Sequence, residues 1–239
     1  MKLKVIVLSL DSAVDRRREF AAGVPKDALP WSFFDAHRSL DPRLHYDPAS
    51  AIHHKGRELK PGEIGCYSSH YAIWAQLMDD DCDAYIILED DVVADWRFLA
   101  ALADEPLADQ NIHYLRLYYK KPSRFLERRN HFVRRSTRLI ELLDLAFGTQ
   151  GYLIDKVAAR RFLEGFREVV RPIDDQLDRH WEHGVPNFSV FPFPLIERTV
   201  PSEIGDNRFE KERRPSGQIW KERMKKRVGV AKRRRAQFP

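Results

Sequence analysis

Tyr85-Ile-Ile-Leu-Glu-Asp-Asp-Val-Val93 is the stretch around which the rest of the chain is organised. Ile86, Ile87 and Leu88 form a short apolar run closed by three acids, which is how a strand buried on both faces reads as it leaves a sheet. In an extended chain Glu89 and Asp91 point to one side and Asp90 to the other. Two carboxylates on one side repel unless a cation lies between them, and a hard divalent cation with oxygen ligands suits that place. Such a cation would hold a pyrophosphate and neutralise a departing nucleotide. The plainer alternative is a solvated acidic turn, so the surrounding sequence has to decide.

The chain has 239 residues, 43% of them hydrophobic and 32% charged, with five Trp, eight Tyr and fourteen Phe. That suits one large α/β domain, or a domain plus a tail, and argues against disorder. The net charge of +5 is unevenly placed: acids dominate residues 78–109, and bases dominate residues 120–138 and 211–235. Cys66 and Cys82 stand in no metal-ligand pattern and read as reduced thiols of a cytosolic protein. No apolar run approaches the roughly 18 residues of a membrane span, so the chain is expected to stay in the cytosol.

In order, residues 2–10 read as a first, central strand. Asp11-Ser12 reads as a turn and N-cap, and residues 14–22 as a short helix carrying Arg16, Arg17 and Arg18. Bases just after a first strand can meet a phosphate at the sheet's carboxyl edge, or merely face solvent. Residues 31–36 read as a second strand, and residues 37–60, with Pro42 and Pro48, as a long loop. Pro61-Gly62 opens a helix with Ile64, Tyr67, Tyr71, Trp74 and Met78 as its buried stripe and Glu63, Cys66 and His70 on another face. Glu63 suits the helix dipole in any case. Residues 96–103 read as a helix and 113–119 as a strand. The basic, aromatic-interleaved residues 120–138 read as a flexible flap beside the site. Gly148-Thr-Gln-Gly-Tyr152 implies a close backbone approach. Residues 156–166 read as a helix with Val157, Phe162 and Phe166 inward. Asp174 and Asp175 open another helix after Pro172. Residues 188–196, with two prolines, read as an edge strand or irregular segment, and residues 201–207 as a turn-rich loop. Residues 218–231 form a basic amphipathic helix with Trp220, Met224, Val228 and Ala231 on one face, which suits an anionic membrane surface.

Pro61-Gly-Glu-Ile-Gly-Cys66 with Ser69-His70 and Trp74, then Leu88-Glu-Asp-Asp91, Gly151-Tyr152 and Pro172-Ile-Asp174, resembles glycosyltransferase family 25, the bacterial lipooligosaccharide galactosyltransferases. The resemblance runs from about residue 4 to about residue 204. It implies an α/β fold: one GT-A-like domain over residues 1–209, with a Rossmann-like mixed central sheet flanked by helices; the basic tail over residues 210–239, read as an amphipathic helix for membrane association, is not part of the resemblance. The opening departs from the pattern, reading Ser9-Leu10-Asp11 where the family commonly has Asn-Leu.

The resemblance further implies inverting transfer of a hexose, galactose from UDP-galactose, to a lipid-linked oligosaccharide. Glu89 and Asp91 would hold Mn2+. Asp174, with Asp175 second, would be the general base. Arg16, Arg17, Glu63, His70, Asp90, Gly151 and Tyr152 would line or brace the donor site. His180 and His183 are available as further ligands. The expected partners are the UDP-sugar, the acceptor and the anionic inner leaflet, not nucleic acid. Two other classes remain open on residues alone: a basic nucleic-acid-binding protein, and a metal-dependent phosphotransferase.

Overall fold

The computed structural model describes residues 1–198 and 214–238. Strands β1 (Leu3–Ser9), β2 (Trp31–Asp35) and β3 (Ala84–Glu89) run parallel, with β1 in the middle. β8 (Gly151–Asp155) then pairs antiparallel to β3 and to β5 (Tyr114–Arg116). β9 (Phe188–Phe191), β7 (Arg138–Leu142) and β6 (Phe125–Asn130) complete an eight-stranded mixed sheet in the order β2-β1-β3-β8-β5-β9-β7-β6. β4 (Val92–Ala94) and β10 (Leu195–Glu197) make a separate antiparallel pair over its edge.

Strand alternation explains the layers. Ile6 and Leu8 of β1, with Tyr85 and Ile87 of β3, face one core beneath α3 (Pro61–Asp79) and α5 (Lys156–Gly165), filled by Trp74, Tyr67 and Phe162. Val5 and Val7, with Ile86 and Leu88, face the other, filled by Phe20 of α1 (Val14–Ala22) and by Trp96, Phe98 and Leu99 of α4 (Trp96–Ala101). The apolar run at the centre of the sequence is therefore buried on both faces. This is the α/β fold that the pattern implied, a mixed sheet flanked by helices.

Several expectations are corrected. Residues 37–60 are not all loop: α2 spans Pro48–Lys55, with Asp47 accepting from the Ala49 and Ser50 amides at its start. The cap of α1 is Ala13, with no side-chain cap bond, rather than Asp11 or Ser12. Val157 is exposed, because the first turn of α5 overhangs the core. β9 is an interior strand between β5 and β7; its prolines, Pro192 and Pro194, come only after it ends. Residues 120–138 are not a flap, since β6 and β7 form the far edge of the main sheet. The boundary at 209/210 and the loop expected at residues 201–207 lie outside the described residues.

Candidate active site

Because β1, β2 and β3 are parallel and β8 is antiparallel to them, their carboxyl ends and the start of β8 share one edge. In such sheets ligands bind outside the carboxyl ends. Ser9, Asp35 and Glu89 end the three strands there, and residues 148–150 lead into β8.

Glu89, the last residue of β3, and Asp90, in the turn that follows, face different partners. Ser9 Oγ donates to Asp90 Oδ2 at 2.6 Å, and Arg16 Nε lies 3.4 Å from the same oxygen. Arg17 donates to Ser9 O at 2.9 Å and pairs with Asp35 at 2.6 Å. The structure thus brings Arg16, Arg17 and Asp90 together. On the other side, Thr149 Oγ1 donates to Glu89 Oε1. Burial, and then the charge of Asp91, push the Glu89 carboxyl up to about 7. Burial, then Glu197 and Asp90, push Asp91 up to about 6. Asp91 Oδ1 is buried with no hydrogen-bond partner.

Glu197 is the site residue that sequence reasoning missed. β10 brings it opposite Val92 of β4. There Lys120 Nζ meets it at 2.8 Å, Tyr118 donates to it at 3.1 Å and Gln150 Nε2 at 3.2 Å. No spacing signal links it to Glu89; only the β4–β10 pairing does.

Asp174 reaches the same edge from α6 (Ile173–Leu177). The Gly148 amide donates to its Oδ2 at 3.2 Å, and the Asp175 amide to its Oδ1 at 2.8 Å. Gly148 and Thr149 are adjacent, so one dipeptide binds Asp174 on one side and Glu89 on the other. The half-buried Cys66 thiol lies near both; desolvation, and then the charges of Glu89 and Asp174, hold its pKa well above the usual value. A polar clamp fixes this dipeptide. Arg116 donates to the Phe147 and Gly148 carbonyls at 3.0 and 2.8 Å and pairs with Asp178 at 2.8 Å. Asp178 in turn accepts from the Ala146 and Phe147 amides, each at 2.7 Å.

Other candidates take structural places. Asp175 is buried and bound by Arg179 at 3.0 Å and Lys55 at 3.2 Å. Burial raises its pKa, but Arg179, Lys55 and Arg171 outweigh that and leave it low, so it is a network carboxylate and a poor base. Glu63 gives both oxygens to Arg57, at 2.6 and 2.8 Å, and accepts from the Lys60 amide at 2.9 Å. It closes the start of α3. His70 is fully buried; its Nδ1 lies 2.8 Å from the Tyr152 hydroxyl, which also accepts from Trp74 Nε1 at 2.9 Å. His70 and Tyr152 therefore brace the core behind the edge. The close approach at Gly151 comes from protein: a Cβ there would lie 2.2 Å from Leu195 Cδ1 and 2.9 Å from Leu88 Cδ2. His180 and His183 are buried or bound to backbone, His183 facing Leu177 O at 3.2 Å.

The basic residues 120–138 are largely spent on acids of the same protein. Arg128 pairs with buried Glu141 at 2.6 Å, Arg129 with Glu105 at 3.2 Å, and Arg134 with Asp95 at 2.5 Å.

The donor set at Glu89 and Asp91 fits a hard divalent cation. It is all oxygen, it holds an unpartnered buried carboxylate oxygen, and its carboxyls are pushed up by burial and then by neighbouring acids, a load that a cation would relieve. Among the described residues, the group of three whose ligand atoms converge within 4.8 Å is elsewhere, at Asp80, Asp81 and Cys82 before β3. There Lys2 pairs with Asp81, and Tyr85 donates to Asp80 at 2.5 Å, which makes it a bonded surface turn. A cation at Glu89 and Asp91 would draw its remaining ligands from bound phosphate, as such ions commonly do.

Residues 2–177 match the profile described as "Glycosyltransferase family 25 (LPS biosynthesis protein)". The lacto-N-neotetraose biosynthesis glycosyltransferase LgtE of Neisseria meningitidis serogroup B is 28% identical over 216 residues, covering 78% of this chain and 71% of that protein. The lipooligosaccharide biosynthesis protein lic2B of Haemophilus influenzae is 27% identical over 170 residues, 65% of this chain and 60% of its own. Procollagen galactosyltransferase 1 of Danio rerio is 28% identical over 134 residues, 54% of this chain and 22% of its own.

Proposed function

This chain belongs to glycosyltransferase family 25, and from that premise we propose that it transfers galactose from UDP-galactose, with inversion, to a hydroxyl of a lipid-linked oligosaccharide on the cytoplasmic face of the membrane. The enzyme class and a nucleotide-sugar donor follow from the family. The relatives' printed names support a lipooligosaccharide acceptor and a galactosyl donor. The observation that carries the site is the Gly148-Thr149 dipeptide, bonded to Asp174 through one residue and to Glu89 through the next.

Inverting displacement needs a base on the acceptor side of the sugar and charge compensation on the leaving-group side. Asp174 is the base. Two backbone amides fix its carboxylate, and its ion-paired neighbour Asp175 holds α6 in place. An Asp174 oxygen takes the proton of the acceptor hydroxyl as its oxygen bonds the anomeric carbon and the bond to the UDP oxygen breaks. Glu89 and Asp91 would hold Mn2+ or a similar ion, which when bound supplies positive charge against the diphosphate. Arg16 and Arg17, set on Asp90, Ser9 and Asp35, would meet the phosphates from the β1 side. Lys120, paired with Glu197, would border the donor site from the other side.

UDP release is the test. Purified protein with Mn2+ and an oligosaccharide acceptor is expected to release UDP from UDP-galactose faster than from UDP-glucose or UDP-N-acetylglucosamine, and to stop in chelator. Preference for another UDP-hexose would correct the sugar. No release from any of them would overturn the reading.

A further inference from the structure

We propose that α8 (Ser216–Arg235) docks the enzyme on an anionic lipid bilayer, lying in the plane of the interface with Trp220, Met224 and Val228 toward the acyl chains. This goes beyond the transfer reaction and does not depend on the sugar or the base proposed above. The helix also lies outside the residues that match the family.

α8 is held to the body by one face. Glu222 is buried and pairs with Arg171 at 2.5 Å, Arg214 at 3.0 Å and Arg179 at 3.4 Å. Lys226 pairs with Asp144. Gly229 lies against Trp181 so closely that a Cβ would come within 2.4 Å of it. Arg233 pairs with Glu141 of β7. Positions 222, 226, 229 and 233 share one side of a helix with 3.6 residues per turn. Positions 220, 224, 228 and 231 fall on the opposite side.

That opposite side is apolar at its centre and exposed: Trp220 64%, Met224 39% and Val228 53%. A helix that merely packed on the protein would turn its polar side outward; this one buries a carboxylate and shows water an indole. Exposed bases border the stripe on both sides, Lys221 and Lys225 along one and Arg223, Arg227 and Arg234 along the other. Glu222 is the helix's one acid, and it faces inward. The outward face therefore presents an apolar band between two cationic rims and no negative charge. That matches acyl chains flanked by anionic headgroups. A nucleic-acid ligand would set the apolar centre against phosphate. Because the body already holds the helix folded, binding need not supply its ordering entropy. The Glu222–Arg179–Asp175 pairs also link α8 to α6, beside Asp174.

The test uses the full chain without donor, so it reads attachment independently of catalysis. Sedimentation with phosphatidylcholine vesicles, with and without roughly one-third phosphatidylglycerol, should show binding only to the anionic set, weakening with salt. Replacing Trp220, Met224 and Val228 together by Ser should lower binding at least tenfold, with circular dichroism and UDP release unchanged. Arg223→Glu with Arg227→Glu should lower it by about tenfold or more. Absence of wild-type binding to anionic vesicles overturns the proposal, as does undiminished binding by the triple Ser variant. Binding to RNA but not to vesicles, or self-association abolished by the Ser variant without vesicle binding, would assign the face to another occupant.

Discussion

Burying a carboxylate oxygen without a partner is costly, and Asp91 does so beside Glu197 and Asp90. Its folded pKa of about 6 stands above the usual 3.8, so the charged form is penalised in the fold. Above pH 6 the native state carries that penalty in full; below about pH 4 both states are protonated and it vanishes. Metal-free Asp91→Asn should therefore be more stable than wild type at pH 8, by about 1–3 kcal/mol. The gap should close as pH falls through 6 toward 4, and turnover should be lost. Melting curves in chelator check this, and an Asp91→Asn protein that melts lower at pH 8 would show the carboxylate to be satisfied. The two neighbouring aspartates separate in the same way. Asp174→Asn should cut kcat by roughly 10²–10⁴ with little change in melting temperature. Asp175→Asn removes the buried carboxylate that Arg179 and Lys55 share and should cost roughly 1–3 kcal/mol of stability. If Asp175→Asn left stability intact while abolishing kcat, the two roles would have to be exchanged.

At the scale of elements, what could be read in advance was what depends on local pattern. β1, β3, α1 and α3 were legible because a buried strand is a short apolar run and a buried helix repeats its aromatics. Glu89, Asp90 and Asp91 were expected to alternate along an extended strand, but β3 ends at Glu89 and the two aspartates form the turn into β4. α2 was misread because Pro48 was taken as a breaker, although Pro in the first turn after an Asp cap marks a helix start. β9 was misread because its prolines follow the strand and do not interrupt it. The basic flap looked mobile because its partners, Glu105, Glu141 and Asp95, are remote in sequence. Glu197 was invisible for the same reason: a two-stranded pairing carries it to Asp91. Gly151 shows how a correct signal can be assigned to the wrong neighbour. Its missing Cβ makes room for Leu195 and Leu88, so Gly151→Val should cost about 1–3 kcal/mol through overpacking. The KM for donor in the folded enzyme should stay near wild type; a large rise in KM at unchanged stability would return Gly151 to the donor site.

Across the whole molecule, buried titratable groups set how the fold meets acid, and they pull in opposite directions. Burial holds His70 and His183 down at about 3, and His180 at about 4, against the usual 6.5. Each stays neutral in the fold while the unfolded chain takes up a proton below about pH 6.5, so each removes stability as pH falls. Glu89, Asp91 and Asp178 do the reverse. They keep protons in the fold up to about 7, 6 and 6, where the unfolded chain has released them, and so add stability as pH falls. Three groups on one side against three on the other nearly cancel, so stability in chelator should change by no more than about 0.5 kcal/mol per pH unit between about pH 6.5 and 5. Asp91→Asn removes one of the groups that add stability, so the variant should lose roughly 1 kcal/mol per pH unit as pH falls over that range. Denaturant titrations of both proteins at several pH values measure the two slopes directly. A wild-type stability that rises as pH falls through this range would mean that the three histidines take up protons without unfolding, and that the core around His70, Tyr152 and Trp74 is wetter than its packing implies.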